Sequence, residues 1–241
     1  MPKISVVIPT LNEEKYLSSC LESFRKQSFT DFEIIISDGG STDKTTEIAK
    51  RYTKNIIVHP NSNVCLARDL GTRAARGTIV VGADADTLYP KNHLELIYQH
   101  FQQDPKVVAV VGGGKVVDGT WISKKYWEIA YFIIYIIYRL TDFILYAPAF
   151  DMSFRKDLFL KMEGYNVNLD FGGDELDVLA KLKKTKGRLI FEDRLHPLTS
   201  GRRYKVGFFT FLFKHALIYY WLGYFSGKIF GKSLIKAKPV R

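Results

Sequence analysis

The chain has 241 residues, 46% of them hydrophobic, which suits one large α/β domain or a domain of about 190–200 residues with an appendage. Its two cysteines, Cys20 and Cys65, are too few for a disulfide framework, and no Cys/His cluster has metal-binding spacing. The net charge of +10 is unevenly placed: residues 1–193 hold 25 Lys/Arg and 25 Asp/Glu, whereas residues 194–241 hold ten basic residues and no acid.

Met1-Pro2-Lys3 leads straight into an apolar strand at 4–9, with no stretch long enough for a secretory signal, so the expected location is the cytosol. A helix is predicted over 13–27 from Leu17, Leu21 and Phe24 at helical spacing. A strand follows at 33–37, a Gly-rich turn at 38–43, a helix at 44–52, a strand at 55–59, a helix at 64–76 and a strand at 78–83. This alternation predicts a parallel sheet covered on both faces. Ligands bind such sheets at the carboxyl ends of the strands. Polar clusters stand there at Thr10–Glu14, Asp38–Asp43 and Asp84–Asp86. The second half reads as a helix over 90–103, a strand over 106–117 running into a Gly triplet, an extended segment at 147–155, a helix at 174–186 and a strand at 188–192.

The strongest chemical signal is Asp84-Ala85-Asp86 at a strand end. Two carboxylates one residue apart repel each other unless a cation sits with them. Mg²⁺ or Mn²⁺, held by carboxylates and substrate phosphates, meets that need. An isolated triplet of this kind would more often be a solvated turn. Here it follows SVVIPTLNEE at 5–14, SDGGSTDKT at 37–45 and LARDLGTRAARG at 66–77, and lies within GADADT at 82–87.

In these four motifs, and over roughly residues 3–200, the sequence resembles family 2 of the inverting glycosyltransferases. The resemblance implies the GT-A fold, a Rossmann-like and mostly parallel α/β sheet flanked by helices. It divides the chain into a domain at 1–200, with a nucleotide-binding half at 1–90 and an acceptor half at 91–200, and a basic, apolar segment at 201–241. It also implies a UDP- or GDP-sugar pocket drawn from Pro9, Thr10, Asn12, Glu13, Asp38, Arg68, Asp84 and Ala85, with Mn²⁺ or Mg²⁺ at Asp84 and Asp86. The family usually carries a Glu-Asp pair at the start of a late helix, with the aspartate as general base. This chain reads Asp174-Glu175, the reverse order, and either residue fits the base position. Arg202 and Arg203 follow the last core strand, where paired guanidinium groups can grip pyrophosphate. His196 is a further metal candidate, though a structural role suits it better.

Two apolar stretches point to lipid. Residues 206–225 hold one formal charge, Lys214, and have basic residues on both sides, a pattern that favours lying in the membrane interface over spanning it. Packing in an oligomer is the structural alternative. Within 125–146, Glu128, Tyr135, Arg139 and Asp142 define a polar face and the remainder is aliphatic and aromatic. That stretch is expected to be core, or part of a lipid-acceptor or membrane-contact surface. The partners expected are a nucleotide-sugar donor, a lipid or glycan acceptor and an anionic membrane surface on the cytoplasmic side. Nucleic acid is not expected, because the basic tail is too apolar and aromatic. A nucleotidyltransferase would carry a Gly-rich phosphate loop after its first strand, and PTLNEEKY has none. A non-catalytic lipid-binding protein would not need the acidic triplet.

Overall fold

The computed structural model describes residues 1–169 and 174–202. Arg203, the apolar stretch 206–225 and the side chain of Asp174 lie outside the described residues.

In chain order the elements are β1 (Ile4–Thr10), α1 (Leu17–Arg25), β2 (Phe32–Asp38), α2 (Thr45–Lys50), β3 (Ile56–Val58), α3 (Val64–Ala74), β4 (Ile79–Gly82), β5 (Thr87–Leu88), α4 (His93–Gln103), β6 (Val107–Val111), β7 (Lys115–Val116), α5 (Trp121–Thr141), β8 (Met152–Arg155), α6 (Lys156–Lys161), α7 (Asp174–Lys183), β9 (Arg188–Phe191) and β10 (Leu198–Thr199). The main sheet has seven strands in the order β3-β2-β1-β4-β8-β6-β9. Strands β1 to β4 are mutually parallel, as the sequence predicts. Strand β8 runs antiparallel between β4 and β6, and β9 pairs parallel with β6 on the outer edge.

Strand β1 is nearly continuous in apolar residues because both faces of the sheet are covered. Ile4, Val6 and Ile8 pack with Leu17, Leu21 and Phe24 of α1 and Leu94 and Ile97 of α4. Val7 and Ile35 face the opposite side, where Phe154, Phe159, Val178 and Leu182 complete a second layer. The period-two alternation of a strand thus feeds two cores at once.

Four expectations are corrected. Residues 13–16 form a turn, and α1 begins at Leu17. The strand expected over 106–117 stops at Val111, since Gly112-Gly113-Gly114 leaves the ladder before the two-residue β7. The extended segment at 147–155 contains a 3-10 turn, Ala149–Asp151, and then the central strand β8. Finally, α7 ends at Lys183 rather than 186.

A small second sheet, β5-β10-β7, matters most for the site. Thr199 pairs with Thr87 and with Val116, and the Thr87 hydroxyl donates to that of Thr199 at 3.0 Å. This brings Ser200 to Arg202 back over Asp86, so Gly201 and Arg202 pack within the domain. Among the described residues no helix is long and apolar enough to cross a membrane.

Gly82 ends β4 immediately before the acidic triplet. A methyl group there would lie 2.6 Å from the Ala149 carbonyl oxygen, a backbone atom that cannot rotate away. Gly82→Ala is therefore expected to destabilise the fold by about 1–3 kcal/mol, read as a drop of roughly 2–4 °C in Tm per kcal/mol. An unchanged melting curve would show that the contact between β4 and the 3-10 turn yields freely.

Candidate active site

Three loops meet above the carboxyl ends of β1, β2 and β4. Thr10 and Asp38 stand opposite each other in the β1–β2 register. The Asp38 carboxylate is fully buried and accepts four hydrogen bonds: from Thr10 Oγ1 at 2.8 Å, Ser41 Oγ at 2.6 Å, Gly40 N at 3.0 Å and Ser41 N at 2.8 Å. Four bonds fill a carboxylate's acceptor sites. Asp38 thus enters the site as the anchor of the Gly39-Gly40 turn, and a direct contact with a base would require one of these bonds to be exchanged. Gly40 has φ of 91°, which suits glycine in such a turn.

The first loop is fastened to the same turn. Asn12 adopts φ of 56°; its amide donates to Ser41 Oγ at 2.8 Å, and its side-chain oxygen accepts from Thr42 N at 2.8 Å. Glu13 N donates to Thr45 Oγ1 at 2.7 Å. Pro9 is half-buried, Thr10 is buried, and the buried Ala85 methyl leaves only its backbone to face a ligand.

The acidic triplet sits beside these loops. Asp84 receives Nη2 of the buried Arg68 at 3.1 Å, and its amide donates to the Tyr89 hydroxyl at 3.0 Å. That hydroxyl donates in turn to the Phe150 carbonyl at 3.0 Å, and the ring stacks on Phe24 at 4.5 Å. Asp86 faces Arg202, whose Nε lies 3.0 Å from Oδ2 as an ion pair without hydrogen-bond alignment. The other end of the same guanidinium grips Glu13 bidentately, at 2.6 and 2.8 Å. The Tyr16 ring lies 5.2 Å away, within cation–π range. Burial opposes the Arg202 charge, but the bond to Glu13 and the charges of Asp86 and Glu13 outweigh it and raise its pKa.

Asp84 and Asp86 supply two hard oxygen donors on one turn, each carboxylate partly reachable from solvent. That donor set fits Mg²⁺ or Mn²⁺ when diphosphate oxygens and water complete the shell. Among the described residues no group of three His, Cys, Asp or Glu side chains gathers to hold a metal. His196 is therefore not brought to Asp84 and Asp86. It is exposed, and the charges acting on it are those of Lys115, Asp193 and Glu192. Glu175 sits half-buried in the first turn of α7.

The family model for "Glycosyl transferase family 2" matches residues 5–161. The chain belongs to this family. Its relatives include the chondroitin synthase of Escherichia coli, 31% identical over 137 residues that make up 54% of this chain and 20% of that protein. Another is a dolichyl N-acetyl-alpha-D-glucosaminyl phosphate 3-beta-D-2,3-diacetamido-2,3-dideoxy-beta-D-glucuronosyltransferase of Methanococcus voltae, 38% identical over 46% of this chain and 38% of that protein. The chain thus aligns with well under half the length of either relative. Among solved structures, the mannosyltransferase PcManGT of Pyrobaculum calidifontis, in complex with GDP-Man and Mn²⁺, superposes with a TM-score of 0.72 at 21% identity, covering 96% of this chain and 66% of that one. TarS of S. aureus in complex with UDP-GlcNAc gives 0.63 at 20% identity, covering 82% of this chain and 58% of that one. The fold is the GT-A arrangement expected from the sequence.

Two features could not be read from the sequence. Tyr89 carried no motif, yet its hydroxyl ties Asp84 to the 3-10 turn. Below it, His93 and Asp151 are both fully buried, with Nε2 and Oδ1 3.4 Å apart. Burial lowers the His93 pKa to about 3 and, with help from the Glu192 charge, drives that of Asp151 well up. His93 is then neutral near pH 7. In the unfolded chain Asp151 ionises above its ordinary 3.8, so its contribution to stability falls as pH rises through the raised value. His93 acts in the opposite sense, losing stability as pH falls from 6.5 toward 3. Asp151→Asn removes only the first effect. Its Tm relative to the unsubstituted protein should improve as pH rises above 5, whereas a difference independent of pH would mean that the fold does not raise the Asp151 pKa.

Proposed function

We propose that the chain is a metal-dependent glycosyltransferase that moves a sugar, with inversion, from a UDP- or GDP-sugar to a lipid or lipid-linked acceptor. The observation that carries this reading is the meeting of Asp84 and Asp86 with two guanidinium groups and the Asp38-anchored turn at the carboxyl ends of three parallel strands. Names among the relatives support it, since they include a dolichyl phosphate-linked acceptor, and structural neighbours hold GDP-Man with Mn²⁺ and UDP-GlcNAc.

On this reading Thr10, Asn12 and Glu13 line the nucleotide side, with the Asp38 turn shaping it. Arg68 keeps Asp84 oriented. Asp84 and Asp86 would hold Mn²⁺ or Mg²⁺, which when bound neutralises charge on the departing diphosphate. Arg202, with Arg203, would turn to the same phosphate oxygens with fixed donor geometry. Asp174 or Glu175, at the start of α7, would take the proton from an attacking hydroxyl. An acceptor phosphate is already anionic and would need no such base. The basic segment 203–241 would hold the enzyme peripherally on the cytoplasmic face of a membrane.

Thermal unfolding tests the donor site directly. UDP or GDP at about 100 times Kd adds about 2.7 kcal/mol, or roughly 5–10 °C for a domain of this size. Protection should require Mn²⁺ or Mg²⁺ and should be lost in Asp86→Asn. Protection by neither nucleotide, with or without metal, would sink the reading. Turnover assays locate the base. With a hydroxyl acceptor, either Asp174→Asn or Glu175→Gln should lower kcat by about 10²–10⁴-fold. Full activity in both variants would identify a phosphate acceptor.

A further inference from the structure

The sequence places Glu128, Tyr135, Arg139 and Asp142 on one polar face of its long apolar stretch, but the fold turns α5 so that apolar side chains look outward. Of its 21 residues only Ser123 and Ile134 are buried. Ile129 is 56% exposed, Phe132 63%, Ile133 50% and Leu140 80%, at helical spacing along one stripe. Trp121, 75% exposed, begins it. A helix on a protein surface normally shows water its polar face, and a continuous apolar stripe of this length marks an interaction site.

The place where the chain leaves the described fold says what the stripe meets. Gly201 packs against Gly119: a methyl group on Gly201 would lie 2.8 Å from Gly119 N. Ser200 Oγ and Gly201 N both donate to the Asp118 carboxylate. Thr120, the next residue but one, caps α5 by accepting from Ser123 N. The described residues therefore end beside the first turn of α5, and residues 203–241 hold eight basic residues and no acid. The Arg202 contact with Asp86 fixes the same corner at the rim of the donor pocket.

We infer that the outward face of α5 is a lipid-docking surface that seats the protein on an anionic bilayer next to its donor pocket. Basic side chains stand at both ends of the stripe, Lys124 and Lys125 at its start, the latter paired with Glu128 at 2.6 Å, and Arg139 with Lys183 at its end; Lys183 Nζ sits 3.5 Å over the Phe143 ring. Apolar side chains in the headgroup boundary with lysines at its level is the interfacial pattern. A second copy fits less well, since a two-fold contact would bring these basic ends and two basic tails together. Cover by residues 206–225 alone would not remove the exposure. They are apolar at nearly every position and would present a new apolar face in turn. The purpose of the surface, delivery of a membrane-embedded acceptor, rests on the function proposed above, but its binding does not require turnover.

The chain has three tryptophans, and two of them, Trp121 and Trp127, lie on α5. In full-length Trp221→Phe the emission therefore reports on this helix. Phosphatidylcholine vesicles containing phosphatidylserine and brominated acyl chains should quench it, and should cosediment the protein. Phe132→Glu with Leu140→Glu should weaken partitioning at least tenfold, while protection by UDP or GDP with Mn²⁺ stays unchanged. Absent quenching, or unaltered partitioning of the double variant, overturns the inference. So does a change of the double variant from dimer to monomer in sedimentation velocity, which would assign the stripe to a second copy. Loss of vesicle binding only in Lys232→Glu with Lys236→Glu would move the surface to the tail. Loss of nucleotide protection in the unsubstituted chain, with vesicle binding intact, would count against the donor site and leave the docking surface standing.

Discussion

Three carboxylates, Glu13, Asp84 and Asp86, crowd a single corner of this molecule, and two guanidinium groups make the corner possible. Arg68 rises from α3 to meet Asp84, and Arg202 spans Glu13 and Asp86. Without these cations the acids would repel one another and splay apart. With them, the acids are held close together in a half-buried cleft. On the proposed function the pairing would also have a cost for the ligand, because phosphate oxygens would have to draw Arg202 away from an existing partner. Such an arrangement would favour the proposed donor with its metal, which brings its own compensating charges, over a bare anion or a bare cation.

The long reach of Arg202 explains why the site spans the chain. Glu13 and Arg202 are separated by 189 positions. The connection depends on β10, two residues long, pairing with both β5 and β7. So short a strand has little stability of its own, and its place is secured by side chains: the Thr87–Thr199 hydroxyl contact and the grip of Asp118 on Ser200 and Gly201.

Much of the first half was legible in the sequence. The apolar runs at 4–9, 33–37 and 78–83 became parallel neighbours because each is bounded by a helix of matching period, and a crossover connection forces the parallel arrangement. The polar clusters at their ends followed from that. The second half was less legible for identifiable reasons. Met152–Arg155 has too few residues to show a period, and its antiparallel insertion depends on partners distant in sequence. The three glycines after Val111 looked like the end of a strand, and the small sheet they lead to is built from pairs of residues. The family resemblance implies a ligand contact for Asp38, and its hold on the Gly39-Gly40 turn was not legible in the sequence because the partners of its oxygens come from separate segments. The orientation of α5 was hidden because a helix with apolar residues around most of its circumference does not declare which side is covered. The buried pair of His93 and Asp151 left no trace in the sequence, as neither residue belongs to a motif.

Strand β8 has a consequence for how the molecule assembles. Residues 4–82 can form four parallel strands and their connecting helices from near neighbours, so this half can organise while the chain is still emerging from the ribosome. Strands β6 and β9 have no such option, because β6 joins the sheet only through β8. Until residue 155 has been made, β4 presents an unpaired edge and β6 lacks the strand that links it to the first half. The nascent protein therefore passes through a stage with an open, apolar sheet margin, the feature that invites wrong pairing between chains. Rapid docking of this one four-residue strand closes that window.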